Sequence, residues 1–309
     1  MMGWMILVTA MTGLAAESAA VRPYMGQEAP GLVPKIFAPG LVSVPGRFEH
    51  SICLSQDGRE CYFTVRSADW SSSQIMVTRL ENGKWTQPVP FSFGHMCPSL
   101  ADNDQSLYFI GGAKVWRVRR SSSGSNQWQY QPEVLSAPVN VPQPAWSCHV
   151  SSLGNLWTCS WRPGGLGKCD LWRIRSVDGR FTEAQNLRTL NTSGFDCYPV
   201  PGPNEAYVVY SSDRPGGLGR NDLYISFPDG QGGRVPTSWV APRNLGPPIN
   251  SSDHDSSPYL SPDHRYLFFS RETSTEADIY WVRVEAFLAD PNESGSNLHQ
   301  TTDRMERSK

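Results

Sequence analysis

Histidine, cysteine and aspartate side chains stand at five related places in the chain, each at the start of a predicted inner β-strand. Imidazole nitrogens, thiolates and carboxylates bind divalent metal ions, and the same groups can hydrogen-bond a polar ligand. A purely structural role, with bonds to neighbouring strands, is the alternative. We predict that these side chains form a ligand-binding ring and that none of them is catalytic. The one cofactor that we consider for this ring is a divalent metal ion. The ring consists of His50, His95, Cys97, His149, Asp196, Cys197, His254 and Asp255.

The elements that must position this ring are copies of one repeat. The last copy, residues 257–270, predicts a strand, a tight turn on Pro262-Asp263, and a second strand rich in aromatic residues. Four earlier copies follow the same pattern. Equivalent positions in the five second strands are 46 to 59 residues apart, close to the period of about 40–50 residues of a propeller blade. These positions are Phe63, Phe109, Thr158, Tyr210 and Phe269.

Third and fourth strands follow these pairs, so the sequence predicts an all-β fold, a five-bladed β-propeller of four-stranded blades. Fourth strands are predicted at 85–88, 181–184 and 239–242. The last blade lacks a fourth strand of its own. Residues 36–43 are predicted to supply this strand and so to cover the exposed edge of the last blade. The propeller spans 35–287, after a linker at 21–34 and before a disordered tail at 288–309. The predicted blades are 48–93, 94–143, 144–192, 193–250, and 251–287 together with 36–43.

Residues 1–20 are predicted to be a cleaved signal peptide. An apolar stretch at 5–11 precedes small residues that end at Ala20, which favours cleavage before Val21. No later segment approaches the ~20 apolar residues of a membrane-spanning helix. We therefore expect a periplasmic or secreted protein with no membrane span in the mature chain, and a monomer.

The charge of the chain argues against a nucleic-acid partner. With 27 Lys and Arg against 29 Asp and Glu, the formal net charge is −2, and no basic run occurs. Phosphate binding needs clustered positive charge. The expected partner is instead a protein or a carbohydrate.

The sequence does not decide whether its seven cysteines are disulfide-bonded or free. Cys53 and Cys61 flank a predicted hairpin turn, while Cys159 and Cys169 flank a glycine-rich loop. Either pair could form a disulfide in an oxidising compartment. Free buried thiols are the alternative.

Two loops have nearly the same sequence, Arg-Pro-Gly-Gly-Leu-Gly at 162–167 and again at 214–219. The duplication is typical of a repeat protein. We expect the glycines to allow positive φ and Asp170 and Asp222, which follow the loops, to bond nearby backbone. Both loops are predicted to lie on the same face of the propeller as the ring.

The Ser-Pro-x-Leu-Ser-Pro-Asp turn of the last copy, the loop at 212–217 and the Asp-Leu-Tyr strand at 222–224 resemble PD40, or WD40-like, repeats. The resemblance covers about residues 35–285 and includes TolB-like propellers. It implies a propeller fold. We expect a non-enzymatic binding propeller that recognises a protein segment or glycan around the central channel.

The same repeat group implies an alternative, a metal-dependent polysaccharide lyase or glycosidase-type enzyme. Its metal ligands would be His50, His95, His149 and His254. We favour a non-enzyme, because no nucleophile elbow or metalloprotease motif occurs. Trp70 and Trp161 are candidates for stacking on sugar rings, whereas tryptophans within strands are expected to pack between blades. The strand tryptophans are Trp116, Trp157 and Trp172.

Overall fold

A computed structural model describes residues 24–121, 127–129, 131–142, 145–230 and 238–288. The predicted signal peptide and all of the predicted tail after residue 288 lie outside these residues. Within them the chain is almost entirely β-structure. Helical turns occur only at Pro203–Glu205, a 3₁₀ turn, and at Glu285–Leu288, a single α-turn named α1.

The strands follow one another along the whole described chain. β1 spans Lys35–Ile36, β2 Phe48–Leu54, β3 Glu60–Arg66, β4 Ser73–Glu81, β5 Lys84–Trp85 and β6 Val89–Phe93. β7 spans His95–Ala101, β8 Ser106–Gly111, β9 Lys114–Arg119 and β10 Glu133–Val134. β11 spans His149–Val150, β12 Leu156–Ser160, β13 Asp170–Val177 and β14 Arg180–Asn186. β15 spans Asp196–Pro201, β16 Val208–Ser212, β17 Asp222–Ser226 and β18 Arg243–Asn244. β19 spans His254–Leu260, β20 Tyr266–Glu272 and β21 Ala277–Arg283.

Consecutive strands pair antiparallel into sheets. Strands β7–β10, β11–β14 and β15–β18 form three four-stranded sheets. The remaining strands form a nine-stranded sheet, in which one parallel bridge, between Phe48 and Ala277, joins β2 to β21. On either side of this bridge the pairing is again antiparallel, with β3, β4 and β6 after β2, and with β20 and β19 beyond β21.

The N-terminal segment adds a strand to the last sheet, over a shorter range than predicted. Lys35 pairs with Trp281 and Ile36 with Tyr280, so β1 lies against β21. The rest of the predicted strand turns away, because the amides of Leu41 and Val42 both bond to the carbonyl oxygen of Ala38. Val42 is fully buried in the core beside this turn.

Two of the predicted fourth strands lie elsewhere than expected. Trp85 belongs to a short hairpin with β4, closed at Asn82-Gly83, and the chain rejoins β4 only at Val89–Phe93. Trp239 makes a single bridge to Pro228, and pairing with β17 begins at Arg243. The predicted strand at 181–184 lies within β14. Aromatic residues in the sequence indicate that an outer strand is near. The geometry of the preceding hairpin determines at which residue the outer strand begins to pair with the third strand.

The first strand of each group packs against the first strand of the next. β2 contacts β7, β7 contacts β11, β11 contacts β15, β15 contacts β19, and β19 contacts β2 again. The sheets are therefore arranged around a central axis, in the manner of a β-propeller. Apolar side chains fill the spaces between sheets; for example, the rings of Trp157 and Trp239 lie edge to face at 5.6 Å.

Four of the five inner strands contain a β-bulge at the same place. In each, the ladder register shifts next to a residue with positive φ. These residues are Ser51 at 51°, Cys97 at 54°, Tyr198 at 55° and Ser257 at 52°. Positive φ is uncommon outside glycine, and bulges re-aim side chains. Here the four bulged residues all line one cavity.

Candidate functional site

The centre of the channel is narrow. The bulged residues Ser51, Cys97, Tyr198 and Ser257, together with His149, line a cavity of about 30 Å³. Such a volume holds about one or two water molecules. The cavity therefore has no room for a ligand larger than a few atoms.

His50 is sealed beneath the end of the channel at which the inner strands begin. Its Nδ1 lies 2.7 Å from Ser51 Oγ and its Nε2 lies 2.6 Å from Ser257 Oγ. The rings of Trp70 and Tyr198 meet the imidazole edge to face, each at 5.0 Å. Burial, with the nearby charge of Arg66, holds the pKa of His50 well below its usual range. The neutral ring accepts a hydrogen bond at one nitrogen and donates at the other.

His95 and Cys97 occupy apolar surroundings. His95 is half-buried, with its ring 4.8 Å from Phe109 and 5.9 Å from Trp116. Cys97 Sγ accepts a hydrogen bond from Ser51 Oγ at 3.4 Å, and burial raises the pKa of this thiol to about 12. Neither side chain is poised as an exposed nucleophile or base.

Asp196 and Asp255 play one structural role in two neighbouring repeats. Asp196 pairs with Arg214 at 3.0 Å and Asp255 pairs with Arg271 at 2.7 Å, and both carboxylates are fully buried. Each also accepts a backbone N–H four residues earlier, from Thr192 and Ser251. These carboxylates fix the chain at the start of β15 and β19.

His149 and His254 are neutral at pH 7. Burial lowers the pKa of each to about 4. His254 Nδ1 accepts a hydrogen bond from Arg220 Nε at 3.3 Å, whereas the His149 ring faces the channel beside Tyr259. His149 is the predicted ring residue that lines both the central cavity and the wider space beyond it.

The structure thus brings only part of the predicted ring together, with His50, Cys97 and His149 at or beside the channel. The four histidines of the lyase alternative do not form a metal-ligand set. Among the described residues, one group of three or more His, Cys, Asp or Glu has its ligand atoms within 4.8 Å of one another. That group is Cys159, Cys169 and Cys197, of which the ring included only Cys197.

The two candidate disulfides are not formed, and all seven cysteines are free and buried. Cys53 is paired with Tyr62 in the β2–β3 ladder, while Cys61 is paired with Leu54. Adjacent strand residues point to opposite faces, so the two sulfurs diverge. Cys159 and Cys169 do lie close together, as unbonded thiols. The structure thus describes all seven cysteines as free buried thiols, the alternative to the two disulfides.

The two glycine-rich loops have the same internal bonding, as expected from Asp170 and Asp222. Asp222 accepts the backbone N–H groups of Leu218 at 2.7 Å and Gly219 at 3.0 Å. Asp170 does the same for Leu166 and Gly167. Positive φ occurs at the first glycine of each loop, with 90° at Gly164 and 92° at Gly216. At the last glycine of the loop, a side chain is excluded because another backbone segment approaches closely. A Cβ on Gly219 would overlap the carbonyl oxygen of Asp253.

These loops lie on what we call the loop face, the end of the channel formed by residues 67–72, 161–169 and 213–221. Each loop presents an exposed leucine, Leu166 at 45% and Leu218 at 50% exposure. Trp161 and Phe195, each 43% exposed, are on the same face. Lys168 Nζ lies 5.4 Å from the centre of the Phe195 ring.

The tryptophan predictions hold in part. Trp161 is exposed, but Trp70 is half-buried and carries the Arg66 guanidinium 3.7 Å from its ring centre, which occupies one ring face. Of the strand tryptophans, Trp157 and Trp172 are buried as expected, and Trp116 is half-buried. The sugar-stacking role of Trp70 is thereby weakened.

A larger cavity of about 340 Å³, which sequence analysis missed, opens at the opposite end, the turn face. Its wall includes Asp102, Asn103 and Asp104, three consecutive residues with positive φ. Two of its polar groups are engaged within the protein: Tyr259 Oη bonds to the Leu54 backbone, and Asp104 accepts the Gln56 amide.

Within the described residues, no helix has the length and apolar character needed to cross a lipid bilayer.

Neither a protein-family model nor a curated protein sequence matches this chain. Solved structures do. The chain is similar to an alpha-L-arabinofuranosidase from Lactobacillus brevis at 13% identity and a TM-score of 0.50, over 76% of this chain and 85% of that one. A putative TolB from Agrobacterium tumefaciens gives 14% identity and 0.48, over 78% of each chain. TolB from Acinetobacter baumannii gives 13% and 0.46, over 77% of this chain and 55% of that one.

At these identities the arabinofuranosidase match shows a shared fold and nothing of function. The two TolB matches, with lower TM-scores, carry no argument, and this chain spans only about half of the Acinetobacter protein. Membership of the PD40 repeat family therefore stays a prediction. The conclusion from sheets and comparisons together is an all-β chain of β-propeller type.

Proposed function

We propose that this chain is a five-bladed β-propeller that serves as a non-catalytic binding module and holds a protein segment against its loop face. The observation that carries the proposal is the pair of exposed leucines, Leu166 and Leu218, presented by two loops of the same structure. Exposed apolar side chains grouped on one face mark an interaction site more often than a random surface does.

Rigidity of the two loops supports a binding role. Asp222 bonds two loop amides and also accepts Asn244 Nδ2 at 2.7 Å, and Asp170 has the matching bond from Asn186 at 2.9 Å. A loop that is already ordered loses little conformational entropy when a partner binds. The leucines are thus held ready for contact.

The chemistry of the loop face favours a partner segment with apolar and acidic side chains. Trp161 and Phe195 extend the apolar contact, and Lys168 and Arg220 supply positive charge beside it. The Arg220 side chain is 66% exposed, although it pairs with Glu272 at 3.2 Å. A carboxylate of the partner would compete for this exposed guanidinium.

The count of five blades is supported by the cyclic contacts of the first strands and by β1, which gives the last group its fourth strand. We place the blades at the predicted boundaries, with export directed by residues 1–20 and the mature protein periplasmic or secreted as a monomer. The enzyme alternative has less support, because the His50 nitrogens both contact serines and His254 Nδ1 contacts Arg220.

The test is selection of peptides from a random library on the full chain, followed by affinity measurement by calorimetry. We expect enrichment of apolar-acidic peptides whose binding weakens by at least about tenfold in Leu166→Ala/Leu218→Ala, as for truncated interface anchors. Val89→Ala, at an equally exposed valine on β6, is the control and should leave binding unchanged.

A panel of oligosaccharides is measured in parallel with the same variants. Oligosaccharide binding without any enriched peptide would overturn the protein-segment proposal in favour of a glycan ligand. Peptide binding that is equally strong in the double leucine variant would show that the loop face is not the site.

A further inference from the structure

Three thiols from neighbouring repeats meet beneath the loop face. Cys159 is in β12, Cys169 immediately precedes β13, and Cys197 is in β15 of the next sheet. Their sulfur atoms all lie within 4.8 Å of one another, and the three residues are at most 6% exposed. The cluster therefore spans the junction of two sheets.

The separation of the sulfurs suits a single bound ion. A metal–thiolate bond of about 2.3 Å places three sulfurs in a trigonal arrangement about 4 Å apart. Side-chain adjustments of less than an ångström bring sulfurs up to 4.8 Å apart to that distance.

The three sulfur ligands indicate which kind of ion would bind. Soft thiolate ligands favour Cu(I) and zinc, and zinc in structural sites takes four ligands in a tetrahedron. Here three sulfurs form the group, without a histidine or carboxylate in it. We propose that Cys159, Cys169 and Cys197 form a binding site for one Cu(I) ion.

Hydrogen-bond donors stand where negative charge would develop. The Ser147 hydroxyl lies 3.3 Å from Cys159 Sγ, and the Tyr198 backbone N–H faces the same sulfur. On binding, each coordinating thiol releases its proton to solvent and forms a sulfur–copper bond. Copper remains Cu(I) and no electron is transferred.

A short route leads from the channel to the cluster. Ser147 lines the central cavity and also contacts Cys159. Two further thiols, Cys97 and Cys148, line the same cavity, and Cys148 Sγ lies 3.5 Å from the Cys97 carbonyl oxygen. A soft ion entering the channel would meet sulfur before it reaches the three-thiol site.

The experiment titrates the reduced full chain with Cu(I) under anaerobic conditions, in competition with a chromogenic Cu(I) chelator. We expect one equivalent to be withdrawn from the chelator, and X-ray absorption to show three sulfur neighbours at about 2.3 Å. Cys197→Ser and Cys159→Ser should each bind at least about tenfold more weakly. Zn²⁺, which favours a fourth ligand, should bind more weakly than Cu(I).

Cys61→Ser is the matched control, because Cys61 is a fully buried thiol in a different sheet. It should bind copper as the unaltered chain does. Equal losses in Cys61→Ser and Cys197→Ser, or no withdrawal of Cu(I) from the chelator, would overturn the proposal.

A measurement on the unaltered chain keeps the proposal testable where a variant fails to fold. Copper-loaded protein is treated with a thiol-alkylating reagent during brief thermal opening, and the modified cysteines are mapped by mass spectrometry. Selective protection of the three proposed ligands supports the site. Uniform protection of all seven cysteines, or a disulfide within the cluster in the freshly purified chain, contradicts it.

Discussion

His50 and Ser257, 207 residues apart, are joined by a hydrogen bond of 2.6 Å between Nε2 and Oγ. His50 lies on β2 and Ser257 on β19, the first strands of the earliest and latest groups. The bond therefore connects the two ends of the repeat series, between two first strands that are neighbours around the axis. The other ring nitrogen of His50 contacts Ser51, the next residue on β2, so the bond to Ser257 is the one that links the two bulged strands.

Replacing His50 by phenylalanine should destabilise the protein. His50→Phe keeps the aromatic contacts with Trp70 and Tyr198 but removes both hydrogen bonds from two buried serines. We expect the free energy of unfolding in urea to fall by about 1–3 kcal/mol, the cost of unpaired buried polar groups. His95→Phe is the control: its buried Nδ1 has no hydrogen-bond partner, so the loss should be smaller. Equal losses in the two variants would contradict the role given to His50.

Glu205 should prove one of the most sensitive positions in the chain. It is fully buried, and its Oε1 accepts hydrogen bonds from Ser151, Asn155 and Trp157 at 2.7–3.0 Å. Its Oε2 pairs with Arg173 at 3.1 Å. All of these partners lie in the β11–β14 sheet region, whereas Glu205 comes from the turn between β15 and β16.

Glu205→Gln removes the charge and leaves the Arg173 guanidinium buried without its counter-ion. We expect a loss of about 3–5 kcal/mol in unfolding free energy, measured by chemical denaturation. Glu28→Gln is the control, since the Glu28 side chain is 89% exposed and its 3.7 Å pair with Lys35 should contribute about 0–1 kcal/mol. A loss of unfolding free energy below about 1 kcal/mol in Glu205→Gln would contradict the view that Glu205 connects the two sheets.

The stability of the protein should depend on pH through His149. Because the pKa of His149 is about 4 in the folded chain, against 6.5 ordinarily, the unfolded chain binds the proton more readily. The contribution to stability is present above pH 6.5 and is lost as pH falls from 6.5 toward 4. In His149→Asn the unfolding free energy should fall less over that window. Parallel curves for the two proteins between pH 7 and 4 would refute this assignment. His50 and His254 shift in the same direction, so some slope should remain.

We expect that position 219 requires glycine because a neighbouring backbone segment packs closely against it, and not because of its φ angle. A Cβ there would overlap the Asp253 carbonyl oxygen, where the amide of Arg220 also bonds at 3.2 Å. Gly219→Ala should lower the melting temperature by several degrees, a loss of about 1–3 kcal/mol from overpacking. Gly246→Ala has a positive φ of 64° but open space around its Cβ, and should cost only about 1 kcal/mol. A Gly219 variant as stable as the Gly246 variant would show that the loop can move away.

Local patterns in the sequence determined the hairpins of the first and second strands. The alternation around Pro262-Asp263 predicted the β19–β20 hairpin, and the echo of residues 162–167 at 214–219 predicted two loops with one internal structure, in which Asp170 and Asp222 bond the backbone. Such features depend on residues within about ten positions of each other, so turn chemistry and side-chain alternation suffice to predict them.

What the tertiary structure decided depends on contacts between distant strands. Within the predicted ring, Asp196 and Asp255 form buried ion pairs and His50 is sealed between two serines. Their partners Arg214, Arg271 and Ser257 lie on or next to other strands, and the spacing of the ring residues in the sequence does not reveal them.

Cys159 and Cys169 flank one loop, so the sequence already indicated that they lie close together, but Cys197 joins them only when the next sheet packs against theirs. The position of the third sulfur depends on sheet packing, which the spacing of the cysteines does not reveal.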